Sequence, residues 1–382
     1  MRSIQLPLAF ALCAGPLVTG QARAEEQRLA FRSSERAEVT PTNQIVDGHW
    51  IVIGNTDQTG GHVTRDPDHP HQGSPVYRFV ADTQRDRRIE LSELFGSPAT
   101  LRGLSQDQID RLVAVKSTDV GTDHGRYGDT VTYEWSTRFP ERMGPETLGI
   151  FAQWHGRPDR TLVEDEHGLR MLSLPAFEEL GKTVSFDGKD GWGRDRVTGA
   201  RTSWRVDAAA GGPIGEFRIG FDHLYLMVRS DASRRSSPDD KLKAKPTHDP
   251  GFRTVDGAKE ASLVWKMPLA QVPVGEWMDI KVRIRYAEYD PDADRVLAPG
   301  ALTLWVNGRQ VADWRGNVGQ NDSQGPYFKF GIYVPGPGGF KVDHAAYRRT
   351  FERTRRNPVA PNPVLDEMKR HGLKTAAAPG EN

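Results

Sequence analysis

Polar and apolar residues alternate one for one along many short runs of this chain, the pattern of strands with one face buried and one face wet. Such runs occur at Trp50–Ile53, Val76–Val80, Arg88–Leu91, Val131–Phe139, Leu148–His155, Phe217–Phe221, Leu224–Arg229 and Ala261–Trp265. They continue at Met278–Tyr286, Leu302–Val306, Gln310–Trp314, Phe328–Val334 and Phe340–Tyr347. Gly, Pro, Asn and Asp punctuate them, and Asn307-Gly308 between two alternating runs is a strong hairpin signal. Helical patterns are few: Ser105–Val115, Leu174–Leu180 and a short stretch at Val364–His371. A chain of this kind is expected to be all-β, an antiparallel sandwich or jelly roll.

The N-terminus reads as a secretory signal peptide over residues 1–24. Arg2 gives the positive start, Leu6 to Val18 the apolar stretch, and Ala22-Arg23-Ala24 the small-x-small cleavage site before Glu25. That stretch is too short to span a bilayer, and no membrane association is expected. The one cysteine, Cys13, lies inside it. The exported chain, periplasmic or secreted, must then rely on its core without disulfides. The full chain carries 51 basic and 51 acidic residues; loss of Arg2 and Arg23 leaves 49 against 51, a net of −2. A near-neutral chain has no global field for nucleic acid, and a polyanion would need a local basic patch. The chain is expected to act as a monomer.

Residues 25–352 read as the sandwich domain. Within it, about 157–212 is richer in charge, glycine and turns than its flanks and reads as an insertion protruding beside a cleft; 353–382 reads as a loosely attached tail. Gly60 to Gly73 reads as a polar loop whose His62, His69 and His71 are solvated rather than metal ligands.

Two strands carry the chemistry. In Phe151-Ala152-Gln153-Trp154-His155-Gly156, alternation puts Gln153 and His155 on one face with Phe151. In Tyr327-Phe328-Lys329-Phe330-Gly331-Ile332-Tyr333, it puts Tyr327, Lys329, Gly331 and Tyr333 on one face and the Phe and Ile residues on the other. A third, Arg88-Ile89-Glu90-Leu91-Ser92, puts Arg88 beside Glu90, which can orient it. β-Elimination of a uronate needs donors that neutralise the carboxylate, a base for the proton on C5, and an acid for the departing O4. Arg, Lys and Gln serve the first task, a neutral His the second, a Tyr the third. Taken one by one, such residues are usually structural, and the pattern alone leaves an enzyme and a non-catalytic carbohydrate-binding module both open.

At these residues the chain resembles the heparin lyase I family of bacterial polysaccharide lyases. The resemblance runs from about Gln44 to Tyr347. It rests on Ile150–Gly156 followed by Arg160-Thr161-Leu162-Val163, on Trp265-Lys266-Met267-Pro268, and on Asn321-Asp322 leading into Tyr327–Tyr333. It implies a jelly roll with a thumb, His155 as base and Tyr333 as acid. It implies Gln153, Arg88, Lys329 and Tyr327 as the residues that bind substrate. It also implies a structural calcium held by Asp207, Asn321, Asp322 and a backbone carbonyl near Arg234. Hard oxygen donors suit that ion. Asp207 stands where the family has the longer Glu, and Val334 where it has a basic residue. Residues 187–205 mix Lys189, Arg194, Arg196, Arg201 and Arg205 with Asp187, Asp190 and Asp195, where characterised members have a dense lysine run.

The expected function is a lyase acting on a uronate-containing acidic polysaccharide, heparin or heparan sulfate first, leaving 4,5-unsaturated uronate ends. The alternatives are the same reaction on a less sulfated uronan or exopolysaccharide, or the binding module. A glycoside hydrolase is disfavoured because no carboxylate pair accompanies the His and Tyr strands. Lys281, Arg283 and Arg285 share one face of their strand; an exposed convex face is the preferred reading over a polyanion path.

Overall fold

The computed structural model describes residues 25–28, 38–39, 45–46, 50–54, 62–81, 88–93, 127–157, 159, 161–186, 191–207, 213–235, 253–322, 324–334 and 339–352. The segments read as a signal peptide and as a tail, and the helical patterns at Ser105–Val115 and Val364–His371, lie outside them.

Two large sheets face each other. The site sheet has ten strands, of which seven build the floor described below. They are β1 (Trp50–Gly54), β2 (Arg88–Ser92), β3 (Gly149–Arg157), β4 (Pro213–Gly220), β5 (His223–Asp231), β6 (Lys259–Pro268) and β7 (Gln324–Tyr333). Their spatial order is β6-β5-β4-β3-β7-β2-β1, each pair antiparallel. The chain therefore enters the middle of the sheet from distant positions: β7 sits between β3 and β2, whose sequences lie far upstream. The opposite sheet has nine strands, with Lys341–Glu352, Thr130–Arg138 and Trp277–Arg285 at its centre. This is an antiparallel jelly-roll sandwich, one of the architectures that the alternation allows and the one that the resemblance implies.

The core fills the space between the sheets with aromatic side chains. Trp154, Phe217, Phe328 and Phe330 come from the site sheet and Tyr77, Phe79, Tyr133 and Trp135 from the other; all are buried. Their rings meet edge-on or tilted, as in Trp135–Trp154 at 6.2 Å and Phe79–Phe330 at 5.9 Å between centroids, the arrangement favoured by aromatic quadrupoles. With Phe328, Phe330 and Ile332 turned inward, Tyr327, Lys329 and Tyr333 are directed to the other face of β7.

Alternation fails at one informative place. Phe151 belongs to the core with Ala152 and Trp154, not to the face of Gln153 and His155. Both neighbours of β3 shift register there, β4 between Phe217 and Arg218 and β7 between Phe330 and Tyr333. A bulge adds one residue to the strand and reverses the phase of alternation across it, so Phe151 joins Ala152 in the core and Ile150 takes the face of Gln153 and His155.

The segment read as a loop at Gly60–Gly73 is instead largely strand. His62–His71 pairs with Ser74–Val80, again with a register shift, between Asp66 and His71. Pro67 and Pro70 masked the pattern, because prolines are tolerated in strands at irregular or edge positions. His71 stacks on Trp277 at 4.2 Å and His69 pairs with Asp66.

Between β3 and β4 the chain leaves the sheet to form a separate five-stranded sheet, with Arg201–Val206 at its centre, and one helix, Leu174–Leu180. Ser173 caps the helix, its Oγ accepting from the Ala176 amide at 3.4 Å. The Asn307-Gly308 hairpin forms as expected, with φ of 50° and 75°, the left-handed pair that suits strand twist.

Candidate active site

The outer face of the site sheet is organised in rows of register partners. The first row runs Tyr327–His155. The next joins Ser92, Lys329, Gln153 and Glu216 on β2, β7, β3 and β4. The last runs Arg88, Tyr333, Ile150, Arg218, Tyr225 and Lys266 across six strands.

Glu90 organises the centre. It is 2% exposed; its Oε2 accepts from Arg88 Nε at 2.6 Å, and its Oε1 accepts from Gln153 Nε2. One buried carboxylate thus fixes two of the expected substrate-binding side chains at once. The Arg88 guanidinium also lies 5.4 Å from the Tyr333 ring centroid. Burial works against its charge, but the Glu90 carboxylate overrides this and raises its pKa further above the usual range. Gly331, opposite Glu90 at φ 137°, lets the strands close here: a Cβ would collide with the Ile89 carbonyl oxygen and stand 2.7 Å from Glu90 Cα.

His155 Nδ1 lies 3.0 Å from the Gly156 carbonyl oxygen. A carbonyl only accepts, so in the neutral ring Nδ1 carries the hydrogen and Nε2 holds the lone pair, the tautomer a general base requires. The His155 ring faces Tyr327 at 5.5 Å, and Lys329 Nζ stands 5.0 Å from the Tyr327 ring centroid. Lys329, Gln153 and Tyr327 are buried, whereas His155, Arg88 and Tyr333 are half-buried. The floor therefore has two layers, a buried polar one and three side chains that rise above it.

His155 and Tyr333 do not share a row. Five residues of β3 separate His155 from Ile150, the partner of Tyr333, about 15 Å of strand. The Lys329–Gln153 row lies between them, so a sugar placed over that row has the imidazole on one side and the phenol on the other.

Sequence reasoning missed Glu216, Arg218 and Arg229 beside this floor. Glu216 is 1% exposed, and its Oε1 accepts from Arg218 Nη1 at 3.2 Å and from Arg229 Nη2 at 2.9 Å. The signal was present as alternation in Glu216-Phe217-Arg218-Ile219, whose Phe and Ile are core residues. Lys281, Arg283 and Arg285 are exposed on the opposite sheet and do not join the cleft; Lys281 pairs with Glu134 at 3.0 Å and Arg283 with Glu352 at 2.9 Å.

The residues expected to hold calcium collect at the base of the inserted sheet. Asp322 Oδ2 is buried without a hydrogen-bond partner. Its carboxyl is pushed well up, first by burial, then by the charges of Asp207 and Asp159, with Arg234 acting against them. A hard divalent cation would relieve that repulsion, so Asp207 and Asp322 fit as carboxylate ligands. Asp207 is 1% exposed and its Oδ2 accepts from the Asp159 amide at 2.8 Å. Asn321 turns its Nδ2 toward the carbonyls of Ala232, Asp290 and Ala293, at 3.1, 2.8 and 3.0 Å. Arg234 brings a guanidinium, donating to Asp159 Oδ2 at 2.5 Å and to the Asn321 carbonyl at 2.9 Å. Among the described residues no group of three or more His, Cys, Asp or Glu is arranged to hold a metal. The fit is thus confined to two carboxylates, with any further ligands supplied by carbonyls.

A family model described as polysaccharide lyase matches residues 54–350. The chain is similar to heparin lyase I of Pedobacter heparinus, 25% identical over 346 residues that cover 81% of this chain and 88% of that protein. Among solved structures, alginate lyase vAL-1 from Chlorella virus aligns over 80% of this chain and 94% of its own, at 11% identity and a TM-score of 0.35. The cellulose induced protein Cip1 aligns over 81% and 94%, at 12% identity and a TM-score of 0.36.

Proposed function

Because this chain belongs to the polysaccharide lyase family, we propose that it cleaves a uronate-containing acidic polysaccharide, heparin or heparan sulfate first, by β-elimination. The observation that carries this reading is the Glu90 hub, which holds Arg88 and Gln153 on one face with Lys329, His155 and Tyr333. The uronate carboxylate docks on Arg88 and Gln153, with the Lys329 charge beneath. These groups stabilise the negative charge that grows as the C5 proton leaves. His155 Nε2 takes that proton. The electron pair forms the C4–C5 double bond and expels O4, which receives the Tyr333 phenolic proton. The product carries a 4,5-unsaturated uronate at its new non-reducing end.

A second reading keeps the reaction and moves it to a less sulfated uronan. It is favoured by the inserted sheet, whose cations are engaged already: Arg170 pairs with Asp165 at 2.6 Å, Arg205 with Glu164 at 3.4 Å, and the Arg201 guanidinium stacks 3.4 Å from the Trp192 ring centroid. Export to the periplasm or medium follows from the reading of residues 1–24, and N-terminal sequencing of the processed protein tests it by finding Glu25 first. Calcium held by Asp207 and Asp322 would neutralise their charge and tie the inserted sheet to the site sheet.

Ultraviolet absorbance of the unsaturated uronate on heparin, heparan sulfate, polyglucuronate and alginate separates the readings. His155→Ala and Tyr333→Phe are each expected to abolish the rise while the melting temperature holds. Turnover retained in either variant removes that residue from its role.

A further inference from the structure

Arg218 stands in the same row as Tyr333, on the other side from Arg88. Its register partner is Ile150, which is the partner of Tyr333, so two strand spacings separate Arg218 from Tyr333 and three separate it from Arg88. At about 4.8 Å per spacing the two arginines are about 14 Å apart along the row, too far for one carboxylate to bridge. Ile150 between them is 4% exposed and gives that stretch an apolar floor.

The local charge is positive. Glu216 carries one negative charge and is shared by Arg218 and Arg229. Arg229 is further tied by Nη1 to the Pro213 carbonyl at 3.1 Å. Arg218 is held through Nη1 alone; its Nε is buried without a hydrogen-bond partner, and its side chain remains 22% exposed. A guanidinium has five N–H donors in a planar fork suited to carboxylate or sulfate. Orientation by Glu216 with donors left over is the arrangement of an anion-binding side chain, not of a closed ion pair.

We propose that Arg218 binds the carboxylate or sulfate of the sugar next to the uronate being cleaved, so that Arg88 and Arg218 read two successive acidic units across the Tyr333 row. This rests on the lyase reading of the same face. It makes Arg218 a specificity residue: the uronate at the reacting position is held by Arg88, and the neighbouring unit is selected for its acidic group.

The test reads binding and turnover side by side for the wild type, Arg218→Ala and Arg218→Lys, with heparin, fully desulfated heparin and polyglucuronate as probes and melting temperature as the fold control. Arg218→Ala is expected to weaken affinity and raise KM about ten- to a hundredfold, more than it lowers kcat, the loss of one charge-assisted contact. Arg218→Lys recovers part of it. Loss confined to heparin assigns a sulfate; equal loss on all three assigns a carboxylate. Unchanged affinity and KM beside normal wild-type turnover overturn the proposal and leave the lyase reading standing. Binding without turnover in the wild type removes the lyase reading, and the affinity of Arg218→Ala then decides the anion site alone. Wild type that binds none of the probes overturns both. A melting temperature lowered equally in both variants, with affinity intact, marks a structural arginine and overturns the proposal.

Discussion

A single buried carboxylate sets the geometry of the floor. Glu90 is 2% exposed and accepts from both Arg88 and Gln153, so it acts through them as a positioning residue. Glu90→Ala is expected to lower kcat/KM about a hundredfold, the scale on which misplaced binding groups slow an enzyme. Glu90→Gln, which keeps one acceptor, should recover part of the loss. Kinetics with a melting curve checks this; equal rates for wild type and Glu90→Ala would remove the hub from the mechanism. Arg88 with Glu90, and Gln153 with His155, were legible as pairs because strand alternation is local. Glu216 and Arg218 alternate just as plainly, but which strand becomes the neighbour of β3 is decided by pairing across 60 residues or more of chain, and no local pattern carries that.

At the scale of elements, faces matter more than composition. The strand Trp277–Arg285 alternates buried and exposed along its whole length. Its Lys281, Arg283 and Arg285 form a basic stripe as dense as that of the cleft, yet they lie on the outside of the opposite sheet. Arg283→Ala is therefore expected to leave KM on every polymer unchanged and to shift stability by less than about 0.5 kcal/mol, as exposed pairs do. A raised KM would place a polyanion path on that face. Alternation is a relative signal: it says which residues share a side, and the side is fixed only by what the sheet packs against. The bulge at Phe151 shows the same limit, since one inserted residue reverses the phase. The strand His62–His71 was hidden by its prolines for a related reason, a local preference overridden by pairing.

For the whole molecule, stability depends on what lies between and beside the two sheets. His344 is fully buried among Phe330, Phe79 and Phe151, its Nδ1 3.0 Å from Thr137 Oγ1. Burial lowers its pKa from 6.5 to about 3, against the pull of the Asp343 charge. The folded state therefore favours the neutral ring. Its contribution is fully present above pH 6.5 and is lost as pH falls toward 3, at most about 5 kcal/mol. His344→Gln is expected to flatten the fall in melting temperature between pH 7 and 4, even if it lowers the value at pH 7. An unaltered slope would exclude this histidine as the source of acid sensitivity. At the base of the inserted sheet, chelator is expected to lower the melting temperature, and Asp322→Asn, which removes the carboxylate whose Oδ2 lacks a partner, to abolish that response. No shift in chelator would count against the calcium site.

By itself the sequence determined that this chain forms strands with one wet face, that its single cysteine closes no disulfide within the chain, and which side chains stand together on each short strand. Those properties are set by period and composition within a few residues. Only the tertiary structure decided that β7 lies between β3 and β2, that Glu90 joins Arg88 to Gln153, that Arg218 stands in the Tyr333 row, and that the Lys281 stripe faces away. Each depends on the register of strands distant in sequence, chosen by the burial of aromatic faces between two sheets, a collective free energy that no single segment encodes.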